Sequence, residues 1–121
     1  MDELADSIAK LKDNDKVVRR KATEVLGEIG DSRALFALVG ALQDADSFVR
    51  NGAVDALVRL GPKTVPVLIE ALKDGNKDVR GSAAEALGEI QDTRTIFPLV
   101  EALKDQDTHV RNMAGNALVK I

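Results

Sequence analysis

Few side chains in this sequence could do chemistry. His109 is the only histidine and there is no cysteine. Without thiols the chain builds no disulfide, thiolate zinc site, iron–sulfur cluster or Cys nucleophile. Ser7, Ser32, Ser47 and Ser82 have no histidine placed by motif to accept a proton, so a Ser nucleophile has no support. Asp13, Asp15, Asp44 and Asp46 could in principle form a carboxylate-only metal set. Their periodic recurrence reads instead as helix capping. Gly27, Gly30, Gly61 and Gly88 form no phosphate-binding loop. The expectation from this inventory is no catalytic residue, no metal, no cofactor and no enzyme.

A basic cluster is the next candidate. Lys10, Lys12, Lys16, Arg19, Arg20 and Lys21 crowd the N-terminal segment. Asp13 and Asp15 interrupt them, there is no Trp or Tyr to stack a base, and the chain carries a net charge of -3. A nucleic-acid reader needs a basic groove with aromatic groups. The cluster therefore reads as a solvated end cap. No apolar run approaches the ~20 residues of a membrane helix. Met1-Asp2-Glu3-Leu4 opens acidic where a secretory signal opens basic, so a cytoplasmic protein is expected.

The elements that position these residues are repeated. Val18-Arg19, Val49-Arg50, Val79-Arg80 and Val110-Arg111 recur at spacings of 31, 30 and 31 residues. Each Val is followed at +4 by Ala22, Ala53, Ala83 or Ala114, and at +8 by Leu26, Leu57, Leu87 or Leu118. Ile29, Leu60, Ile90 and Ile121 follow at +11, which completes one face of an α-helix. Upstream lies a second helical stripe, such as Leu35, Leu38, Val39 and Leu42, or Ile96, Leu99, Val100 and Leu103. The first repeat's version is thinner, with Leu4, Ile8 and Leu11. Acidic turns separate the stripes, and their Asp and Asn oxygens can accept the free N–H groups of the next helix.

Each unit thus predicts helix A, a short turn and helix B. Four units follow at about 1–30, 31–61, 62–91 and 92–121, stacked as one domain over 1–121. Gly30 and Gly61 suit left-handed C-caps, Asp31 and Asp92 can cap the following A helices, and Pro62 fits a first helical position. Pro66 and Pro98 lie inside predicted A helices, which should begin late or kink.

Gly27-Glu28-Ile29-Gly30-Asp31-Ser32-Arg33-Ala34, with Leu42-Gln43-Asp44 and Val49-Arg50, resembles HEAT repeats. More narrowly it is similar to the short HEAT-like repeats of the phycobilisome-lyase type. Gly88-Glu89-Ile90-Gln91-Asp92-Thr93-Arg94 with Leu103-Lys104-Asp105 and Val110-Arg111 repeats the pattern. The resemblance covers essentially the whole chain. It implies an all-α, right-handed α-α superhelix of four hairpins and about eight helices, A helices convex and B helices concave.

It also implies a structural ladder from Asp13/Arg19, Asp44/Arg50, Asp74/Arg80 and Asp105/Arg111 that ties turn to helix and one repeat to the next. A planar guanidinium can bridge a carboxylate and turn carbonyls. Four arginines in register would also suit an anion track, although each has its own acid at fixed spacing. No His-Glu pair occurs, which argues against the HEAT-like di-iron hydroxylases, whose ligands are His-Glu motifs. Helical-repeat DNA glycosylases are disfavoured by the charge and aromatic counts.

Binding is expected where the repeats stop agreeing. At 100° per residue, Val18, Ala22, Val25, Leu26 and Ile29 face the core, and positions 17, 20, 24 and 27 lie opposite. The expected partner-binding strip is Val17, Arg20, Phe48, Asn51, Asp55, Val58, Asp78, Glu85, His109 and Asn112. Val17, Phe48 and Val58 are apolar where water is expected. Phe36 and Phe97 share an A-helix position and read as a feature of the repeat, whereas Phe48 has no such counterpart. The last helix ends on apolar Ile121 without a capping Gly, so a homodimer through the C-terminal repeat is conceivable. The expected function is a non-catalytic protein–protein interaction scaffold binding another protein on the concave face. An auxiliary subunit related to bilin (tetrapyrrole) lyases and a nucleic-acid-binding repeat protein are the alternatives.

Overall fold

The computed structural model describes residues 2–121, and they form helices joined by short turns, with no strand among them. The chain divides into two compact units, Met1–Leu60 and Gly61–Ile121. Each holds two helical hairpins. The first contains α1 (Glu3–Lys10), α2 (Lys16–Ile29), α3 (Leu35–Gly40) and α4 (Ser47–Leu60); the second contains α5 (Val65–Ala71), α6 (Lys77–Ile90), α7 (Ile96–Ala102) and α8 (Thr108–Lys120).

Turn chemistry sets where the B helices start. Asp15 accepts the Val17 N–H at 2.8 Å, Asn76 accepts that of Asp78 at 2.7 Å, and Asp107 accepts that of Val110 at 3.1 Å. Each bond satisfies one of the donors that a helix start leaves open. At the other end Gly30 adopts φ 68° and Gly61 φ 80°. Gln91 adopts φ 61° at the same step of its repeat, where glycine would carry no Cβ penalty.

A helices begin late, as the two prolines suggest, but proline is not the cause. A single 3-10 turn precedes α3 (Ser32–Ala34), α5 (Gly61–Thr64) and α7 (Thr93–Thr95), and α3 contains no proline. Pro62 lies in one of these turns rather than at a first α-helical position. Pro66 and Pro98 fall in the first turns of α5 and α7, where a missing N–H breaks no helical bond. Thr64 and Thr95 are fully buried in these turns and donate to Gly61 O at 2.8 Å and Asp92 O at 2.7 Å.

Each unit has an aliphatic core. Leu26, Leu38, Leu42, Val49, Ala53 and Leu57 are fully buried in the first, and Val65, Leu68, Ala83, Leu87, Leu99 and Val110 in the second. Fully burying a Leu or Val contributes ~1.5–3 kcal/mol. The buried side of α2 is rotated from the expected one. Ala22, Thr23, Leu26 and Gly27 are buried, whereas Val18, Val25 and Ile29 are half-buried. Gly27 was expected opposite the core. It lies against α4 instead, where an added Cβ would meet Ala56 Cα at 3.2 Å.

Candidate functional site

In the first unit α2 packs alongside α4. Contacts of Arg20 with Phe48, Thr23 with Gly52, and Gly27 with Ala56 advance along both chains together, so the two helices run parallel. Small residues let their backbones approach: a Cβ on Gly52 would overlap Thr23 Oγ1, which donates to Arg20 O at 2.7 Å. The approach leaves a groove of about 280 Å3, floored by Thr23, Gly27, Gly52 and Ala56 and walled by Arg20, Glu24, Phe48, Asp55 and Arg59.

Phe48, second residue of α4, is 62% exposed at one end of this groove. The Arg20 guanidinium carbon lies 4.9 Å from its ring centroid. A cation over an aromatic face is held by the ring quadrupole, and the stack fixes two otherwise mobile side chains. The structure therefore joins Arg20 and Phe48 within the predicted strip. Val17 is 59% exposed, Asn51 and Asp55 are exposed, and Val58 is half-buried.

The second unit carries the rest of the strip on α6 and α8. Asp78 is half-buried, and Glu85, His109 and Asn112 are exposed. His109 covers Gly81, where a Cβ would stand 3.1 Å from its Cδ2. A smaller groove of about 130 Å3 is lined by Glu85, Met113, Asn116, Ala117 and Lys120. Lys120 is paired with Glu89.

Within each unit the Asp/Arg register ties turn to helix and one repeat to the next, but through side-chain pairs other than the same-turn ones expected. Arg19 does not bridge to the carboxylate of Asp13. Its Nη1 donates to the Asp13 and Asn14 carbonyls at 2.8 and 3.1 Å, and its Nε donates to Asp44 Oδ2 of the next repeat at 2.9 Å. Asp44 in turn raises the pKa of Arg19 through this side-chain bond. In the second unit Arg80 bonds the carbonyls of Asp74 and Gly75, and its side-chain acid is Asp105. Arg50 and Arg111 donate to the Asp44 and Asp105 carbonyls at 2.7 and 2.6 Å. The reason is reach. The turn carbonyls take up the Nη1 group, which leaves the Nε–Nη2 edge of the guanidinium directed at the acid of the next repeat. Asp13 accepts from Asp15 N at 2.8 Å and Asp74 from Asn76 N at 2.9 Å.

The suspected carboxylate metal set is used in the same way, with Asp15 and Asp46 capping α2 and α4. Among the described residues no group of three or more His, Cys, Asp or Glu is gathered where it could hold a metal ion. No helix among them is long and apolar enough to cross a membrane.

Sequence reasoning missed an A-helix surface. Phe36 and Phe97 are 75% and 83% exposed. In the second unit Phe97 borders a groove of about 490 Å3 with Ile69, Leu72, Pro98 and Ala102. Each Phe stands two residues before a fully buried Leu, Leu38 or Leu99. That spacing turns it about 200° from the core, a signal that was readable.

Comparison with known proteins gives the fold's relatives. A deoxyhypusine hydroxylase of Cryptococcus neoformans var. neoformans is 31% identical over 96 residues, which is 74% of this chain and 27% of that protein. Human deoxyhypusine hydroxylase, solved in complex with glycerol, superposes with a TM-score of 0.77 at 27% identity, covering 98% of this chain and 43% of that one. The CpcE–CpcF complex of phycocyanin lyase from Nostoc sp. PCC7120 matches at TM-score 0.55 and 22% identity, covering 99% and 65%. A designed armadillo repeat protein matches at TM-score 0.54 and 22% identity, covering 98% and 64%. The chain spans about a quarter of the curated relative's length and under half of the human enzyme's.

These matches correct one expectation. The sequence reading set this chain apart from enzymes, and from hydroxylases in particular, yet a relative and a structural neighbour are both deoxyhypusine hydroxylase, an enzyme. The expectation rested on catalytic side chains, whereas the likeness follows the repeat frame, on which such side chains are exchanged without disturbing the core. The family model for HEAT repeats matches residues 4–72 and 65–121. With the repeats seen as stacked helical hairpins in each unit, the chain belongs to the HEAT-repeat family.

Proposed function

We propose that this chain is a protein-interaction segment whose B helices hold a partner, with the α2/α4 groove as the principal contact. The Arg20–Phe48 stack carries this reading. An aromatic ring and a guanidinium are the side chains most often responsible for binding energy at protein interfaces. Here they are pre-ordered, so little side-chain entropy is lost when a partner docks. Val17 and Asn51 extend the same face.

A photo-crosslinking residue at Asn51, used in extract of the native host, tests the proposal. A single cross-linked protein is expected. Phe48→Asp and Arg20→Glu should each lose it while the circular dichroism spectrum stays the same. Retention of the cross-link in both variants would sink the interaction reading.

The likeness to deoxyhypusine hydroxylase supports a second reading, in which the segment works as part of such an enzyme. Because the chain spans 27% of that relative, the activity would be assayed on the assembled protein. Loss of deoxyhypusine hydroxylation on deleting residues 1–60 supports it, and unaltered turnover rejects it.

A further inference from the structure

We draw no further inference here: the strongest candidate, the apolar groove beside Phe97 between α5 and α7 of the second unit, carries both Lys73 and Glu101 among its lining residues, and nothing in the structure shows what covers it.

Discussion

Arg80 holds Asp105, twenty-five residues further on, with a two-pronged bond: Nε to Oδ2 at 2.8 Å and Nη2 to Oδ1 at 3.1 Å. The same guanidinium donates to Asp74 O at 2.9 Å, so one side chain ties the turn of its own hairpin to the turn of the next. Its side chain is 9% exposed and that of Asp105 11%, so the pair is shielded from water. Removing one partner of a buried ion pair strands the other. Arg80→Ala should lower stability by about 3 kcal/mol, measured by urea unfolding. Arg33 pairs with Asp31 at the same 2.8 Å, but its side chain is 69% exposed. Arg33→Ala should leave the urea midpoint unchanged. Equal losses in the two variants would contradict a buried tie.

Asp105 also sets a pH dependence. Burial pushes its pKa up, but the bond from Arg80, the Asp107 N–H and the charges of Arg80 and Arg111 outweigh it, and the net shift is downward from 3.8. The folded chain therefore binds fewer protons than the unfolded chain just below the ordinary carboxylate range. This contribution to stability is complete above that range and is lost as pH falls through the lowered value. Asp92, lowered by the side-chain bond from Arg94, acts with the same sign. The melting temperature should fall as pH drops below about 4, and Asp105→Asn should flatten that slope. An equally steep slope in Asp105→Asn would remove Asp105 from the account.

Helix periodicity, caps and the Val-Arg register were legible because each follows from local spacing. Asp15 and Asn76 cap as their types demand, and Gly30 turns left-handed as its place after Ile29 requires. The pairing of Arg19 with Asp44 was not legible, because the nearer Asp13 has the right charge and only the fold shows that Arg19 gives its Nη1 to the turn carbonyls and its Nε–Nη2 edge to the next repeat. The rotation of α2 was hidden for a related reason. A period of 3.6 defines an apolar stripe but does not show that Thr23 and Gly27 face a neighbouring helix. At the candidate site, residue types marked Phe48 and Arg20 as unusual, and only geometry put one over the other.

Two glycines to alanine should move stability in opposite directions. A Cβ on Gly88 would stand 2.7 Å from Ala117 Cα and 2.8 Å from its Cβ, contacts that only a shift of α6 against α8 could relieve. Gly88→Ala should cost about 1–3 kcal/mol despite the better helix propensity of Ala. At Gly40, the last residue of α3, a Cβ would meet nothing within 4 Å, and φ is -59°. Gly40→Ala should gain about 0.5–1 kcal/mol by restricting the unfolded chain. Thermal melts of both variants against the natural chain check the pair. A tolerated Gly88→Ala would mean that the two helices can separate at little cost.

Gln91 is the one described residue other than glycine with positive φ, at 61°, and its N–H bonds Leu87 O at 3.1 Å to close α6. The two earlier B helices are followed by glycine in the same conformation, Gly30 and Gly61. A residue with a Cβ there costs roughly 1 kcal/mol that glycine avoids. Gln91→Gly keeps the closing bond, which is made by the backbone, and removes the steric penalty. Its greater freedom when unfolded offsets part of the gain, so the variant should be more stable by about 0.5 kcal/mol. Gln91→Val should lose more than 1 kcal/mol, roughly, because a β-branched side chain tolerates this conformation least. Urea midpoints ordered Gly, then Gln, then Val are expected, and any order that places Val above Gly would show that the left-handed turn is not what ends α6.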